Sequence, residues 1–386
     1  MARGEIFTAR IESIAAGGAG IARLEGKSVF VDLAAPDDLL RCRIKEDHKT
    51  WARAEIIEVL EASHLRSSPA CPLYGRCGGC SLQHLAYEAQ IEAKTAILSD
   101  AFLRIGGIKP PEIRVRPSSP YEYRNRVQFH RTADNYLGFK ERKSSRLAVL
   151  NDCPIADKGI RKFLGEGKIH AEKALFLKKP RFTVYSRGTI FLIEGGTEQG
   201  KVPILGKEMM VNVSVFFQSN AEMLELLIGD LVKASSSANK KLPLADIYSG
   251  VGTLSAFLGE EFAEIDLVEE NKSALTVAKE NMPKGKKVNY YALSDTDWVK
   301  SPLRKNPYGF MVLDPPREGL SKSLREYLAR NGPDLAAYVS CDPATLARDS
   351  RCFIEGGYIM KDLTLYDFYP QTAHIESMAL FSRLGI

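Results

Sequence analysis

Hydrophobic and polar positions change rhythm along this chain. Over residues 1–62 they alternate in short runs: Ile11-Glu-Ser-Ile, Gly20-Ile-Ala-Arg, Ser28-Val-Phe-Val-Asp, Leu40-Arg-Cys-Arg-Ile and Trp51–Leu60. Gly17-Gly18, Gly26 and Pro36 break the runs. Period-two alternation with this punctuation predicts half-buried strands and tight turns, hence a small β-barrel. Barrels of this kind either present basic side chains to RNA or act as packing modules. Residues 84–105 show helical spacing, with Gly106-Gly107 as a stop. Residues 114–215 mix strands and turns, among them Arg181-Phe-Thr-Val-Tyr and Thr189–Glu194. Residues 216–386 alternate apolar runs (Leu244–Tyr248, Glu264–Glu269, Lys287–Tyr291, Phe310–Asp314, Ala337–Ser340) with amphipathic stretches. That alternation predicts an α/β fold with a mostly parallel sheet.

Composition fits this picture without sharpening it. The 386 residues are 45% hydrophobic and 26% charged, enough for two or three domains with cores of their own. A net charge of +5 suits a polyanionic partner but does not require one. No apolar run is long enough to cross a membrane, and the first residues lack the apolar region of a secretory signal. Seven cysteines in such a chain point to a reducing cytoplasm rather than a disulfide framework.

The candidate chemistry sits at the ends of the predicted strands. Asp246-Ile-Tyr-Ser-Gly-Val-Gly252 is a glycine turn between strand and helix, where the backbone can approach a ligand closely. Glu269 ends the next strand, about 20 residues on, where an acid can accept from ribose hydroxyls. Neither a phosphate loop with lysine nor a three-glycine fingerprint is present. A nucleoside-like cofactor such as S-adenosylmethionine therefore fits better than ATP or NAD. Asp314 ends a third strand and begins the stiff loop Asp314-Pro-Pro-Arg317. Cys341, in Ser340-Cys-Asp-Pro343, follows a fourth, and Glu376 lies in Thr372-Ala-His-Ile-Glu376. A thiolate adding to C6 of a pyrimidine makes C5 nucleophilic toward a methyl donor, and a base must then remove the C5 proton. Cys341 is the candidate nucleophile and Glu376 the candidate base. His374 reads as packing or hydrogen-bonded, and Cys42 and Cys352 as small hydrophobes.

Cys71, Cys77 and Cys80 form a dense ligand-like cluster, with Cys153 a plausible fourth. Four thiolates suit either tetrahedral zinc or an iron–sulfur cluster, and spacing does not choose between them.

Taken together these residues resemble the RNA (uracil-5-)methyltransferase family, over nearly the whole chain. The resemblance implies an N-terminal TRAM-type, OB-like barrel over 1–62 that binds RNA. It implies a mixed α+β central domain from 63–83 with 114–215, and a Rossmann-like methyltransferase domain from 84–113 with 216–386. It makes Cys71, Cys77, Cys80 and Cys153 ligands of a [4Fe-4S] cluster. It places S-adenosylmethionine against Gln218, Tyr248, Gly250, Thr253, Glu269, Asp295 and Asp314, with Ser294 an alternative to Asp295. The partner implied is rRNA or tRNA with a flipped-out uridine, and the enzyme is expected to be a monomer. Two other readings are an RNA cytosine-C5 methyltransferase and a catalytically silent RNA-binding factor. The sequence departs from the family at Asp342, usually asparagine, at Ser249, often cysteine, and at Leu267, usually glycine. A carboxylate at 342 is expected to raise the Cys341 pKa unless it points away. Phe216 or Tyr123 would stack in place of the flipped base. Arg124, Arg126 and the run Lys140–Arg146 are candidate phosphate contacts.

Overall fold

The computed structural model describes residues 2–166 and 179–383. Within the predicted segments, Met1, 167–178 and 384–386 lie outside the described residues. The first six strands are β1 (Ile6–Arg10), β2 (Ser13–Ile14), β3 (Gly20–Leu24), β4 (Lys27–Val31), β5 (Leu39–Asp47) and β6 (Trp51–Glu61). They form one sheet in the order β1-β5-β6-β4-β3-β2. Their inward residues, including Ala22, Val29, Val31, Leu40, Ile44 and Ala52, make a core of their own. Cys42 belongs to that core, and burial pushes its thiol up to about 11, as befits a small hydrophobe.

A buried carboxylate latches this module to the segment that follows. Asp38, fully buried, accepts from the backbone of Ala35 (2.6 Å) and Ser63 (3.0 Å) and from the Arg66 guanidinium (2.7 and 2.8 Å). His84 bonds to the Tyr74 hydroxyl at 2.6 Å and the Ala34 carbonyl at 3.1 Å. This use of residues 84–86 explains why the helix predicted from 84 begins later, as α1 (Tyr87–Ala101). Gly107, at φ 64°, stops it after a wide final turn, Phe102–Gly106.

The centre of the chain holds a five-stranded antiparallel sheet in the order β10-β9-β8-β11-β12. Its strands are β8 (Arg126–Arg131), β9 (Leu137–Lys140), β10 (Leu147–Val149), β11 (Arg181–Arg187) and β12 (Ile190–Ile193), with α2 (Lys158–Gly165) packed on it. The strand before it, β7 (Ile113–Arg116), joins a different sheet, and a hairpin follows, β13 (Gln199–Ile204) and β14 (Lys207–Asn212).

After α3 (Ala221–Ala234) strands and helices alternate: β15 (Leu244–Ile247), α4 (Thr253–Leu258), β16 (Glu264–Val268), α5 (Lys272–Asn281), β17 (Lys287–Tyr291), α6 (Asp295–Lys300), β18 (Phe310–Leu313), α7 (Lys322–Asn331), β19 (Leu335–Ser340) and α8 (Pro343–Glu355). Two long strands, β20 (Tyr358–Tyr366) and β21 (Glu376–Arg383), close the sheet in the order β17-β16-β15-β18-β19-β21-β20-β7. Strands β15, β18 and β19 are buried throughout, as in a sheet covered by helices on both faces. The fold is thus α/β and Rossmann-like, with the β-rich N-terminal module and a mixed α+β centre that the sequence led us to expect. Strand order reverses at β15, and in open α/β sheets the crevice for ligands opens at that point, beyond the carboxyl ends of the strands.

Asp38→Ala is expected to lower unfolding free energy by about 3 kcal/mol, since it strands the Arg66 charge and two backbone donors. A urea midpoint equal to wild type would show that the latch contributes nothing.

Candidate active site

Strand register brings the site together. Ile247 pairs with both Val268 and Leu313, and Leu313 with Tyr338. Tyr248, Glu269 and Asp314, each one residue further on, therefore emerge along one edge of the sheet. They border a cavity of about 1000 Å³. All nine residues expected at the cofactor or in catalysis line it: Gln218, Tyr248, Gly250, Thr253, Glu269, Asp295, Asp314, Cys341 and Glu376.

The glycine turn is built on left-handed backbone. Tyr248 has φ 68°, Gly250 54° and Gly252 73°. A Cβ on Gly252 would lie 2.6 Å from Met282 Cε, so the turn packs tightly on α5 there. A Cβ on Gly250 would meet nothing within 4 Å; glycine is needed there for its φ alone. Holding tyrosine in this region costs about 1–3 kcal/mol, and the Tyr248 hydroxyl is secured by a 2.7 Å bond to Asp295. Asp295 also accepts from Ser321 N (3.0 Å). Burial opposes its ionisation, but these bonds hold its carboxyl below the usual range. The neighbouring Ser294 also borders the cavity, but its hydroxyl caps α6, accepting from Asp297 N at 3.1 Å. Glu269 accepts from Gly250 N (3.0 Å) and Asn271 N (2.8 Å), which fixes the acid beside the turn. Gln218 Oε1 and Ser249 Oγ are buried at the cavity without a hydrogen-bond partner in the protein. Buried polar atoms are rarely left so, which marks both as groups awaiting a ligand.

Cys341 and Glu376 meet through an antiparallel pair. Strands β19 and β21 align Ser340 with Ser377. One further step in that register sets Cys341 opposite Glu376, where side chains on one face are neighbours. Burial pushes the Cys341 thiol up to about 11; Glu376 and Asp314 add to the shift and Arg317 opposes it. Glu376 is buried, and desolvation followed by the Asp314 charge raises its carboxyl well above the usual range, again against Arg317. Asp314 itself is raised to about 7 by burial and by Asp246, and Asp246 likewise to about 7, mainly by burial. Three acidic groups thus converge behind one thiol, with Arg317 the cation at the mouth.

The effect of Asp342 on the thiol depended on where its carboxylate points, and that carboxylate is engaged at the start of α8. Its side chain caps α8, accepting from Thr345 N at 2.9 Å, a bond an asparagine would make equally well. The largest influences on Cys341 are burial, Glu376, Asp314 and Arg317. His374, at the rim, takes a 3.2 Å bond to Arg317 and packs edge-on to Tyr369. Desolvation and the nearby arginines hold its imidazole down to about 4, so it is neutral at physiological pH.

Of the residues expected to meet RNA, two are otherwise engaged. Tyr123 is buried and donates to the Pro370 carbonyl (2.9 Å), so it is not free to stack on a base. Arg126 donates to the carbonyls of Val213 and Val215 and lies under the Phe216 ring. Phe216, 64% exposed at the cavity, is the aromatic that is available. Within Lys140–Arg146, Lys143 and Arg142 face Asp32 and Arg146 faces Glu141. These basic residues therefore pair across the surface, yet Lys140, Arg142 and Lys143 still wall a second groove that meets the first at Cys341, Arg317 and His374. Ala16 and Gly17 of the N-terminal module form its far side. Arg124 borders both cavities. Sequence reasoning missed Tyr369 and Asp246 as site groups. Tyr369 has no local signal, because only the return of β21 brings it to the cavity.

Cys71, Cys77, Cys80 and Cys153 are free thiols lining one small cavity with Tyr74, Phe139 and Arg124. Burial pushes Cys80 to about 11 and Cys153 to about 12, each with a contribution from the neighbouring cysteines. Among the described residues no three His, Cys, Asp or Glu side chains are arranged to hold a metal ion. Nor is any helix among the described residues long and apolar enough to cross a membrane.

A family model described as a TRAM domain matches residues 2–57, and one described as tRNA (uracil-5-)-methyltransferase matches residues 300–384. A Treponema denticola protein described as an uncharacterized RNA methyltransferase is 33% identical, across 93% of this chain and 94% of that one. The 23S rRNA (uracil(1939)-C(5))-methyltransferase RlmD of an Azoarcus species is 29% identical, across 97% and 99%. The fold is similar to the crystal structure of Pyrococcus abyssi tRNA (uracil-54, C5)-methyltransferase in complex with S-adenosyl-L-homocysteine, with a TM-score of 0.73 at 22% identity, over 97% of this chain and 100% of that one.

Because its thiol is held protonated, Cys341 in the protein alone is expected to alkylate slowly at neutral pH. Its rate should rise roughly tenfold per pH unit from 8 to 10 without a plateau, since the thiolate is the reactive form. Iodoacetamide labelling read by peptide mass spectrometry checks this, and a plateau below pH 8 would contradict the site's electrostatics. Asp314→Asn removes a charge that raises the thiol and should move the curve to lower pH.

Proposed function

This chain belongs to the S-adenosylmethionine-dependent RNA (uracil-5-)methyltransferases that carry a TRAM domain, and on that footing we propose that Cys341 is the nucleophile and Glu376 the base. The enzyme transfers a methyl group from S-adenosylmethionine to C5 of a uridine in structured RNA. The observation that carries the residue assignment is the β19–β21 register, which sets a thiol against a buried carboxyl at the edge of the cavity.

The cavity residues suit the cofactor. Gln218 Oε1 and Ser249 Oγ lack partners, the Gly250 position is open, and Glu269 is anchored where ribose hydroxyls would donate to it. Asp246, Asp314 and Glu376 are all raised, chiefly by burial, and a positively charged ligand would relieve that cost. Bound S-adenosylmethionine supplies an electrophilic methyl on a sulfonium. Cys341 gives up its thiol proton to solvent and its Sγ forms a bond to C6 of the uracil, and the C5–C6 double bond's electrons move toward C5 and O4. Once C5 carries the methyl, Glu376 takes its proton, the electrons return to C5–C6, and the C6–S bond breaks to release Cys341. Glu376 must be ionised to take that proton, and a cationic ligand in the cavity would bring its raised carboxyl down toward the range a general base needs. Phe216 takes the stacking place left by the flipped uridine, which a duplex would shield from attack. The second groove, walled by Lys140, Arg142, Lys143 and the N-terminal module, carries the flanking strand.

Two relatives named 23S rRNA (uracil(1939)-C(5))-methyltransferase match this chain over 93% and 99% of their own length, so rRNA is the first substrate to test and tRNA the second. We assign domains at 1–62, at 63–83 with 114–215, and at 84–113 with 216–386, moving 114–116 to the last because β7 pairs with β20. We also assign the four cysteines to a [4Fe-4S] cluster. Four free thiols share one cavity, their mutual charges oppose ionisation, and a cationic centre reverses that penalty.

With 5-fluorouridine RNA, wild type is expected to form a covalent adduct and Cys341→Ala none, while RNA binding survives; an adduct in that variant overturns the nucleophile. Glu376→Gln should lower kcat by about 10²–10⁴-fold and leave a methylated adduct on ordinary uridine RNA, seen by gel shift under denaturing conditions. Normal turnover would mean another base. Protein prepared without oxygen should carry iron and sulfide that Cys153→Ser loses. Iron-free wild type with unchanged folding would end the cluster assignment.

A further inference from the structure

The chain between β20 and β21, residues 367–375, carries Tyr369 and His374 and leads directly into Glu376. It has no regular structure; Thr372 bonds back to the Tyr369 carbonyl within it, and α1 supplies further anchors. Lys94 on α1, with no exposed side-chain surface, donates to Asp367 Oδ1 (2.5 Å) and to the Tyr369 carbonyl (3.0 Å). The other Asp367 oxygen accepts from Tyr87 (2.8 Å) on the same helix. One turn away, Gln90 and Gln371 exchange two bonds, Nε2 to Oε1 at 3.0 Å and Gln371 N to Gln90 Oε1 at 2.9 Å. Gln371 is held there in left-handed backbone, φ 67°.

A buried ion pair is a poor source of stability, because apolar side chains of the same volume usually serve as well or better. What an ammonium adds is direction. Its donors address two fixed points of the segment, the end of β20 and the turn at Tyr369. Burial lowers the Lys94 pKa and Asp367 opposes that shift. We propose that Lys94 is a positioning residue for methyl transfer: by bridging Asp367 and the Tyr369 carbonyl it sets the course of residues 367–375 and so the seat of Glu376. This rests on the reading of Glu376 as the base.

Lys94→Met alone leaves Asp367 buried and unpaired, so the test pairs it with Asp367→Asn, which keeps an acceptor for Tyr87 and removes the stranded charge. Full-length wild type, the double variant and Glu376→Gln are each given unmodified rRNA and tRNA transcripts. A base displaced by an ångström loses about 10²-fold in rate. The double variant should therefore lose kcat on that scale and accumulate the methylated RNA adduct, with S-adenosylhomocysteine affinity within about twofold of wild type. Adduct formation with 5-fluorouridine RNA, which does not need the base, should persist. Wild-type turnover overturns the proposal. So does an equal loss of cofactor binding, adduct formation and turnover, which marks a merely structural role. If Glu376→Gln accumulates no adduct, the base reading is what has failed, and the positioning role falls with it.

Discussion

The site depends on one strand pairing. Strands β19 and β21 run antiparallel with Ser340 opposite Ser377, and everything chemical follows from the next step of that register. The pairing is long, from Leu335–Ser382 to Ser340–Ser377, and buried on both faces, so a slip by one residue would turn every side chain of β21 to the wrong side. The apolar strands thereby fix the relative position of two groups that are thirty-five positions apart in sequence. The hairpin-like return of β20 and β21 is the departure from a parallel sheet that makes the thiol and carboxyl neighbours.

The electrostatics of the cavity follow from the same arrangement. The parallel strands β15 and β18 bring Asp246 and Asp314 into the same desolvated space as Glu376, at the start of the antiparallel β21; Asp246 raises the cost of ionising Asp314, and Asp314 that of ionising Glu376. Cys341 inherits that field and is held as a thiol. An enzyme that keeps its nucleophile protonated until a cationic cofactor and an RNA chain complete the site avoids exposing a reactive thiolate in the free state. Arg317, from the stiff Asp-Pro-Pro-Arg loop, favours both charged forms.

Much of this was legible in the chain, for identifiable reasons. The glycine turn, Glu269, Asp314 and Cys341 each follow an apolar run, and strand ends are where an α/β sheet exposes its ligand crevice. The alternation in the first sixty residues marked the β-module. Other features were not legible because they are made by contacts distant in sequence. Nothing near Tyr123 or Arg126 announces that one is buried on Pro370 and the other caps backbone carbonyls. The pairing of Arg142 and Lys143 with Asp32 needs the N-terminal module to fold against the central one. Asp342 was readable as a cap from Asp-Pro at a helix start, but proximity to the cysteine suggested an electrostatic role instead.

The central claim is that one thiol and one carboxyl act in turn on the same pyrimidine ring. Release of tritium from RNA labelled at C5 of uridine measures it most directly. Wild type should release one tritium for each methyl transferred, and Cys341→Ala should release none and transfer none. Methyl transfer by Cys341→Ala, or transfer without tritium release by wild type, would contradict the account.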